Sequence, residues 1–144
     1  MCQPTLLRNY FDANDDAEPS DSLCDARACR PKTPDEDLQA SHLDKGMWGK
    51  QAWGLMHSIT FAYPDKPTTA EKQNAEEFFH CTSKVLPCGS CRTHFCDVLE
   101  RLPPKVSSKD ELSRWLVDVH NDVNKRLGKE TWGYDKIRAL YEPE

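Results

Sequence analysis

The stretch SKDELSRWLVDVHNDVNKRLGK occupies residues 108–129. Leu112, Leu116, Val119, Val123 and Leu127 follow one another at intervals of four, three, four and four. Side chains at that period share one face of an α-helix. Ser108 followed three positions on by Glu111 fits a capping box at the start. Gly128 suits the left-handed turn that closes a helix. The stretch therefore predicts one helix with a single apolar stripe, packed against other elements. His120, Asn121 and Asn124 stand at the margin of that stripe. Three polar groups there are costly unless satisfied. They are either a polar network between helices or the edge of a site for a flat, apolar ligand with many hydrogen-bonding groups.

Working outward, the same periodicity predicts four more helices and no strand. The first covers roughly 47–62, with Trp48, Ala52, Leu55 and Ile59 on one stripe, and ends at YPDKP. The second begins in PTTAEK, where Thr68 and Glu71 form another capping box, and runs to about Val85 with Ala75, Phe78, Thr82 and Val85 inward. A third starts within the Cys88–Cys91 pair and fades near Leu102, before the linker PPK. A last short helix covers about 134–142. Short loops between helices of this length imply antiparallel neighbours in an all-α bundle. Residues 1–46 read instead as a flexible acidic tail, rich in Asp, Pro, Ser and Ala, and residues 47–144 as the folded domain.

Charge narrows the function classes. The tail holds 5 basic and 10 acidic side chains, whereas residues 47–144 hold 14 of each, for a net charge of −5 over the 144-residue chain. No basic stripe is available to neutralise phosphates, so no nucleic-acid partner is expected. No apolar run approaches the roughly 20 residues of a membrane span, so no membrane partner is expected. The first residues lack the apolar stretch of a secretory signal and are too acidic for a typical mitochondrial presequence.

Seven cysteines stand at 2, 24, 29, 81, 88, 91 and 96. Such density without a secretory signal favours metal or redox chemistry over a static disulfide framework. Cys88 and Cys91 fall where a helix begins, and the positive end of a helix stabilises a thiolate. A lowered thiol pKa helps both attack and departure in disulfide exchange near neutral pH. Zinc is the other reading, since Cys81, Cys88, Cys91, His94 and Cys96 supply enough ligands. However, a structural zinc site usually takes two separated ligand pairs. A thioredoxin-like reading wants strands beside the motif. Cys81 and Cys96 read as small buried hydrophobes.

Trp53 and His57 share a face of the first helix, and Tyr63 and Pro64 follow at its end. Taken alone, they suggest an aromatic core with one hydrogen-bonded histidine. Taken with the cysteine pair and the amide-rich face, they suggest a flat redox cofactor inside a helical bundle. No GxGxxG occurs, so a Rossmann site is not expected.

This combination resembles the Erv/ALR family of FAD-dependent sulfhydryl oxidases. The matching pieces are Gly49, Trp53, His57 and YP at 63–64, then PCGSC at 87–91, then HNDVNKRLGK at 120–129. The resemblance covers about residues 47–142. It implies a four-helix bundle plus a short fifth helix, a homodimer, and FAD held at the mouth of the bundle. Trp53, His57 and Tyr63 would line the cofactor, with Gly49 and Lys50 beside them. His120, Asn121 and Asn124 would contact its adenine and ribose region, Val123 and Leu127 would also bind the cofactor, and Lys129 would lie near the pyrophosphate or ring. Lys50 stands where family members often carry arginine. No metal is implied. Cys88 would exchange with an incoming dithiol of a protein substrate. Cys91 would pass two electrons to the flavin, and molecular oxygen would take them to give hydrogen peroxide.

The resemblance also makes Cys24 and Cys29 candidate shuttle cysteines. A flexible arm of the 19 residues from Cys29 to Trp48 spans roughly 24 Å. One departure concerns a disulfide that ties the fourth helix to the following segment in many cellular members. Val117 and Tyr134 stand at the corresponding positions. Compact virus-encoded members also lack that bridge, and their C-terminal segment resembles TWGYDKIRALYE. The compartment stays open: virion or host cytoplasm for a viral member, the mitochondrial intermembrane space for a cellular one. Two other classes compete with the oxidase. A zinc-stabilised helical adaptor would hold metal without flavin. A chaperone-like thiol-exchange protein would swap disulfides without consuming oxygen.

Overall fold

A computed structural model describes residues 45–142, and these form five helices and no strand. The candidate shuttle cysteines Cys24 and Cys29 lie outside the described residues. In chain order the helices are α1 (Lys45–Phe61), α2 (Thr69–Val85), α3 (Gly89–Arg101), α4 (Lys109–Arg126) and α5 (Tyr134–Tyr141). The main contacts pair α1 with α4 and α2 with α3, while α5 bridges α1 and α4. The expected four-helix bundle with a short fifth helix is therefore the observed fold.

Local chemistry sets the helix ends. At α2 the capping box is complete: Glu71 N–H donates to Thr68 Oγ1 at 3.2 Å, and Thr68 N–H donates to the Glu71 carboxylate at 2.7 Å. At α4 the hydroxyl half is made, with Glu111 N–H donating to Ser108 Oγ at 3.2 Å. The end of α4 is a Schellman turn. Gly128 takes φ of +65°, Lys129 N–H donates to Asn124 O at 2.8 Å, and Gly128 N–H donates to Lys125 O at 3.1 Å. This turn folds Lys129 back over the end of the bundle.

The central core joins Phe79 of α2, Val98 and Leu99 of α3, and Leu112, Trp115, Leu116 and Val119 of α4. The Phe79 and Trp115 rings meet edge-on at 4.7 Å, and Trp115 Nε1 donates to Leu102 O at 2.8 Å. Several expected stripes shift. On α1 the buried residues are Met56, His57, Thr60 and Phe61, and Leu55 is 59% exposed. Two stripes of α1 are apolar enough to be buried, and contact with α4 and α5 selects the one that carries the polar His57 and Thr60. Thr60 meets its own need by donating to His57 O at 2.9 Å.

On α2 the inward stripe runs one position later, through Ala75, Phe79 and Ser83. Phe78 and Thr82 become half-buried, and Val85 is exposed at the helix end. Ser83 tolerates burial because its hydroxyl donates to His80 O at 2.7 Å and lies 3.4 Å from Cys96 Sγ. Cys96 is buried as expected, but Cys81 is exposed because it falls on the outer face of α2.

At the far end a second cluster gathers Phe61, Val117 and Ile137, with Trp132, Tyr134 and Tyr141 packed against it. Val117 and Tyr134, the two positions of the absent staple, both belong to it. The Tyr134 hydroxyl lies 3.0 Å from Ser113 Oγ, and the Arg114 guanidinium sits 3.9 Å above the Tyr134 ring. Lys109 Nζ donates to Glu142 at 2.9 Å and ties the end of α5 to the start of α4. Packing thus does here what a disulfide would do.

Candidate active site

Four helices, α1, α3, α4 and α5, converge on one cavity of about 640 Å³. α1 supplies Gly49, Lys50, Trp53 and His57 to its wall. α3 supplies Cys91, His94 and Phe95. α4 and the turn after it supply His120, Val123, Asn124, Leu127 and Lys129. Most of the residues singled out in the sequence therefore meet in one place.

Cys88 and Cys91 are joined as a disulfide with their Cα atoms 5.1 Å apart. Cys88 is the N-cap of α3, and its sulfur accepts from Cys91 N–H at 3.3 Å. Ser90 Oγ lies 3.3 Å from the same sulfur. Cys88 is buried away from the cavity, whereas Cys91, half-buried, forms part of the wall. Arg92 donates to Leu86 O and so braces the loop that enters the pair.

Opposite stands an aromatic group built from α1 and α4. The His120 ring stacks on Trp53 with centroids 3.9 Å apart and planes 2° from parallel. His57 Nε2 and His120 Nδ1 are 3.1 Å apart, so one ring donates to the other. Burial first, and the neighbouring His120 second, lower the pKa of His57 to about 4. Burial first, and Lys129 second, lower that of His120 to about 4. Both rings are therefore neutral at pH 7, which leaves a bare nitrogen to accept the hydrogen bond between them. His57 Nδ1 and Trp48 Nε1, both on cavity-lining residues, are buried with no hydrogen-bond partner among the described residues. Buried polar atoms of that kind are rare and point to an absent partner.

Two predicted contacts are used differently. Tyr63 sits in the central core, away from the cavity, and its hydroxyl donates to Val106 O at 3.1 Å. The chain has already left α1 there, and the phenol anchors the following loops. Asn121 spends its amide on the backbone of one residue: Trp132 N–H donates to its Oδ1 at 2.8 Å, and its Nδ2 donates to Trp132 O at 2.9 Å. This clamp places the Trp132 ring on the cavity wall, 6.1 Å from His120. Sequence reasoning assigned no role to Trp132, Phe95 or Tyr141 in the wall. The aromatic residues of TWGYDKIRALYE, after the Gly128 turn, were the signal for two of them.

The five potential zinc ligands do not converge. Cys88 and Cys91 bond each other, Cys96 turns onto Ser83, His94 faces Asp122, and Cys81 is exposed. Among the described residues, no group of three His, Cys, Asp or Glu side chains is placed to hold a metal. Nor, among them, is any helix long and apolar enough to cross a membrane.

The fold and this cavity define a class of all-helical protein with a redox-capable disulfide against an aromatic pocket. The model of the Erv1 / Alr family matches residues 50–142, and the chain belongs to that family. It is 33% identical over 110 residues to the FAD-linked sulfhydryl oxidase ERV1 of Arabidopsis thaliana, covering 76% of this chain and 58% of the plant protein. It is 37% identical over 97 residues to the probable FAD-linked sulfhydryl oxidase R368 of Acanthamoeba polyphaga mimivirus, covering 65% of this chain and 68% of the viral protein. The crystal structure of the FAD-binding domain of Erv1 from Saccharomyces cerevisiae superposes with a TM-score of 0.68 at 32% identity, over 70% of this chain and 96% of that one. The matched region thus spans little more than half of the plant relatives, 58% and 55% of their lengths.

Proposed function

We propose that the chain is an FAD-dependent thiol oxidase that makes disulfide bonds in dithiol partner proteins, with molecular oxygen as the acceptor and hydrogen peroxide as the product. The observation that carries this reading is the position of Cys91. It is half of a disulfide and at the same time part of the wall of an aromatic cavity.

The cavity suits FAD on three counts. Its volume of about 640 Å³ lies within the range of about 300–1,000 Å³ for pockets that enclose a small molecule. Trp53, His120 and Trp132 offer flat faces for the rings. Trp48 Nε1 and His57 Nδ1 offer unpartnered polar atoms, and Lys45, Lys50, Arg126 and Lys129 offer positive charge for a pyrophosphate. When bound, FAD supplies the two-electron acceptor and the return of those electrons to oxygen.

The chain's own residues do the rest. Cys88 exchanges with the incoming dithiol: one substrate thiolate attacks its sulfur, the Cys88–Cys91 bond breaks, and Cys91 leaves as thiolate. The second substrate thiol then displaces Cys88 and closes the substrate disulfide. When Cys88 and Cys91 rejoin, they give up two electrons and two protons. The helix N-terminus and the Cys91 N–H stabilise the transient charge on sulfur. Neutral His57 and His120 keep the aromatic wall uncharged. Cys24 and Cys29 serve as the shuttle pair between protein substrates and Cys88, and the working unit is a homodimer.

The test is the visible spectrum of the purified protein before and after dithiothreitol in air. A band near about 450 nm that bleaches with thiol while oxygen is consumed is expected. Cys91→Ser should retain the band but prevent its bleaching. A colourless protein that holds zinc after dialysis would replace this reading with the adaptor. For the shuttle, Cys24→Ser should slow oxidation of a protein dithiol and leave dithiothreitol oxidation unchanged. Equal loss with both substrates would remove the tail from the pathway.

A further inference from the structure

Cys88 has two tasks in the exchange. Its sulfur is first attacked by one substrate thiolate, and it must then leave when the second substrate thiol closes the product disulfide. A sulfur that holds negative charge well leaves faster. Two donors in the first turn of α3 reach the Cys88 sulfur, both at 3.3 Å: the Cys91 backbone N–H and the Ser90 hydroxyl. In the closed pair the Cys88 sulfur carries no hydrogen, so the Ser90 O–H is the donor of its contact. Ser90 does little for the fold. It is exposed, and its hydroxyl makes no other hydrogen bond among the described residues. Free to face water, that hydroxyl turns back onto a residue that is only 8% exposed.

We propose that Ser90 is a catalytic hydrogen-bond donor that holds the Cys88 thiolate as it leaves the mixed disulfide with substrate. The step rests on the thiol-oxidase reading. The second substrate thiol gives its proton to water, and its sulfur attacks the substrate sulfur already joined to Cys88. The substrate disulfide forms, the bond to Cys88 breaks, and the electron pair stays on the Cys88 sulfur. The substrate dithiol is then oxidised and the Cys88–Cys91 pair reduced. The Ser90 O–H and the Cys91 N–H donate to the new thiolate, and neither gives up its proton.

Burial is what makes the hydroxyl matter. Water reaches the Cys88 sulfur poorly, so a charge formed there depends on donors from the protein. Hydrogen bonds to the charged form of an acid favour that form, and bonds with an ionised partner are roughly twice as strong as neutral ones. Both donors belong to the turn that carries the pair, so opening the S–S bond does not carry them away. The backbone donor comes with any helix that starts at Cys88. The hydroxyl comes only from the side chain between the two cysteines, and it can be removed without touching either sulfur.

The test reads Cys88 directly, in the full-length protein carrying Cys91→Ala, reduced with dithiothreitol and then freed of it. Iodoacetamide alkylation of the Cys88 peptide is followed by mass spectrometry from pH 5 to 10. The expected profile has its midpoint below the ordinary thiol value of about 8.5. Adding Ser90→Ala should raise the midpoint and slow alkylation at pH 7 about threefold. Alanine is a better helix former than serine, so this exposed change preserves the fold, which circular dichroism checks. Ser90→Thr keeps a hydroxyl and should return the parent profile. A Ser90→Ala profile that superimposes on the parent's would overturn the proposal. So would equal shifts in Ser90→Ala and Ser90→Thr, which would assign the effect to altered packing of the turn. The readout needs neither flavin nor turnover: a parent protein that holds no flavin would defeat the oxidase reading while leaving the Cys88 profile measurable.

Discussion

The two halves of α4 have the same apolar spacing and opposite fates. Leu112, Leu116 and Val119 in the first half are completely shielded from solvent. Val123 in the second half is only half-buried, and Leu127 is 53% exposed on the cavity wall. The first half faces α2 and α3 residues, which fill the space between helices. The second half faces α1 glycines and flat rings, which leave space. A helical stripe is therefore evidence for a buried face, but not for what covers it. Where the stripe is bordered by His120, Asn121 and Asn124, protein does not supply the cover.

The comparison breaks most strongly in the first half. Leu116→Ala removes a fully buried side chain from the central core. It should lower unfolding free energy by about 2–5 kcal/mol, read as a lower urea midpoint at unchanged slope. A loss below about 1 kcal/mol would mean that the core around Trp115 is loosely packed.

Acid should separate the halves next, because one titrating ring, His120, belongs to the second and the other, His57 of α1, is hydrogen-bonded to it. An unfolded histidine titrates near 6.5, while His57 and His120 titrate near about 4 in the fold. As pH falls through 6.5, the unfolded chain takes up protons that the folded chain refuses. Stability is therefore fully present above 6.5 and drains away down to about 4. The rings are coupled and His120 is partly exposed, so the loss between pH 7 and pH 5 should be about 1–2 kcal/mol. The carboxylates held low by their partners, Asp110 and Glu142 among them, titrate below their ordinary range and lie outside that window. Urea midpoints of the flavin-free protein at pH 7 and pH 5 would test this, with His120→Gln expected to flatten the difference. An unchanged slope in that variant would remove the ring pair as the cause.

Much of this was legible because it is local. Capping residues at Thr68, Cys88 and Ser108, the stop at Gly128, and the α4 spacing are written in adjacent residues. So was the set of residues that meets at the cavity, since the motifs lie on helices whose period fixes their faces. What escaped depends on partners distant in sequence. Leu55 and Met56 are both apolar, and only the positions of α4 and α5 decide that Met56 goes inside. Asn121 looks like a ligand contact until the chain turns at Gly128 and brings the Trp132 backbone within reach of its amide. Tyr63 belongs to the matched motif, yet the carbonyl that holds it, Val106, lies 43 residues away.

Leu127 is the sharpest probe of the comparison, because it ends the stripe. If exposure measures its contribution to the protein alone, Leu127→Ala should change unfolding free energy of the flavin-free chain by no more than about 0.5 kcal/mol. If the cavity wall is a binding surface, the same change removes apolar area that only a ligand covers. Flavin retention after dialysis should then fall several-fold, corresponding to about 1 kcal/mol for the lost contact. Leu116→Ala should show the reverse pattern, with a large stability loss and flavin affinity preserved in the folded fraction. A Leu127→Ala protein that is destabilised as strongly as Leu116→Ala would mean that Leu127 belongs to the core after all, and the two halves of α4 would be one.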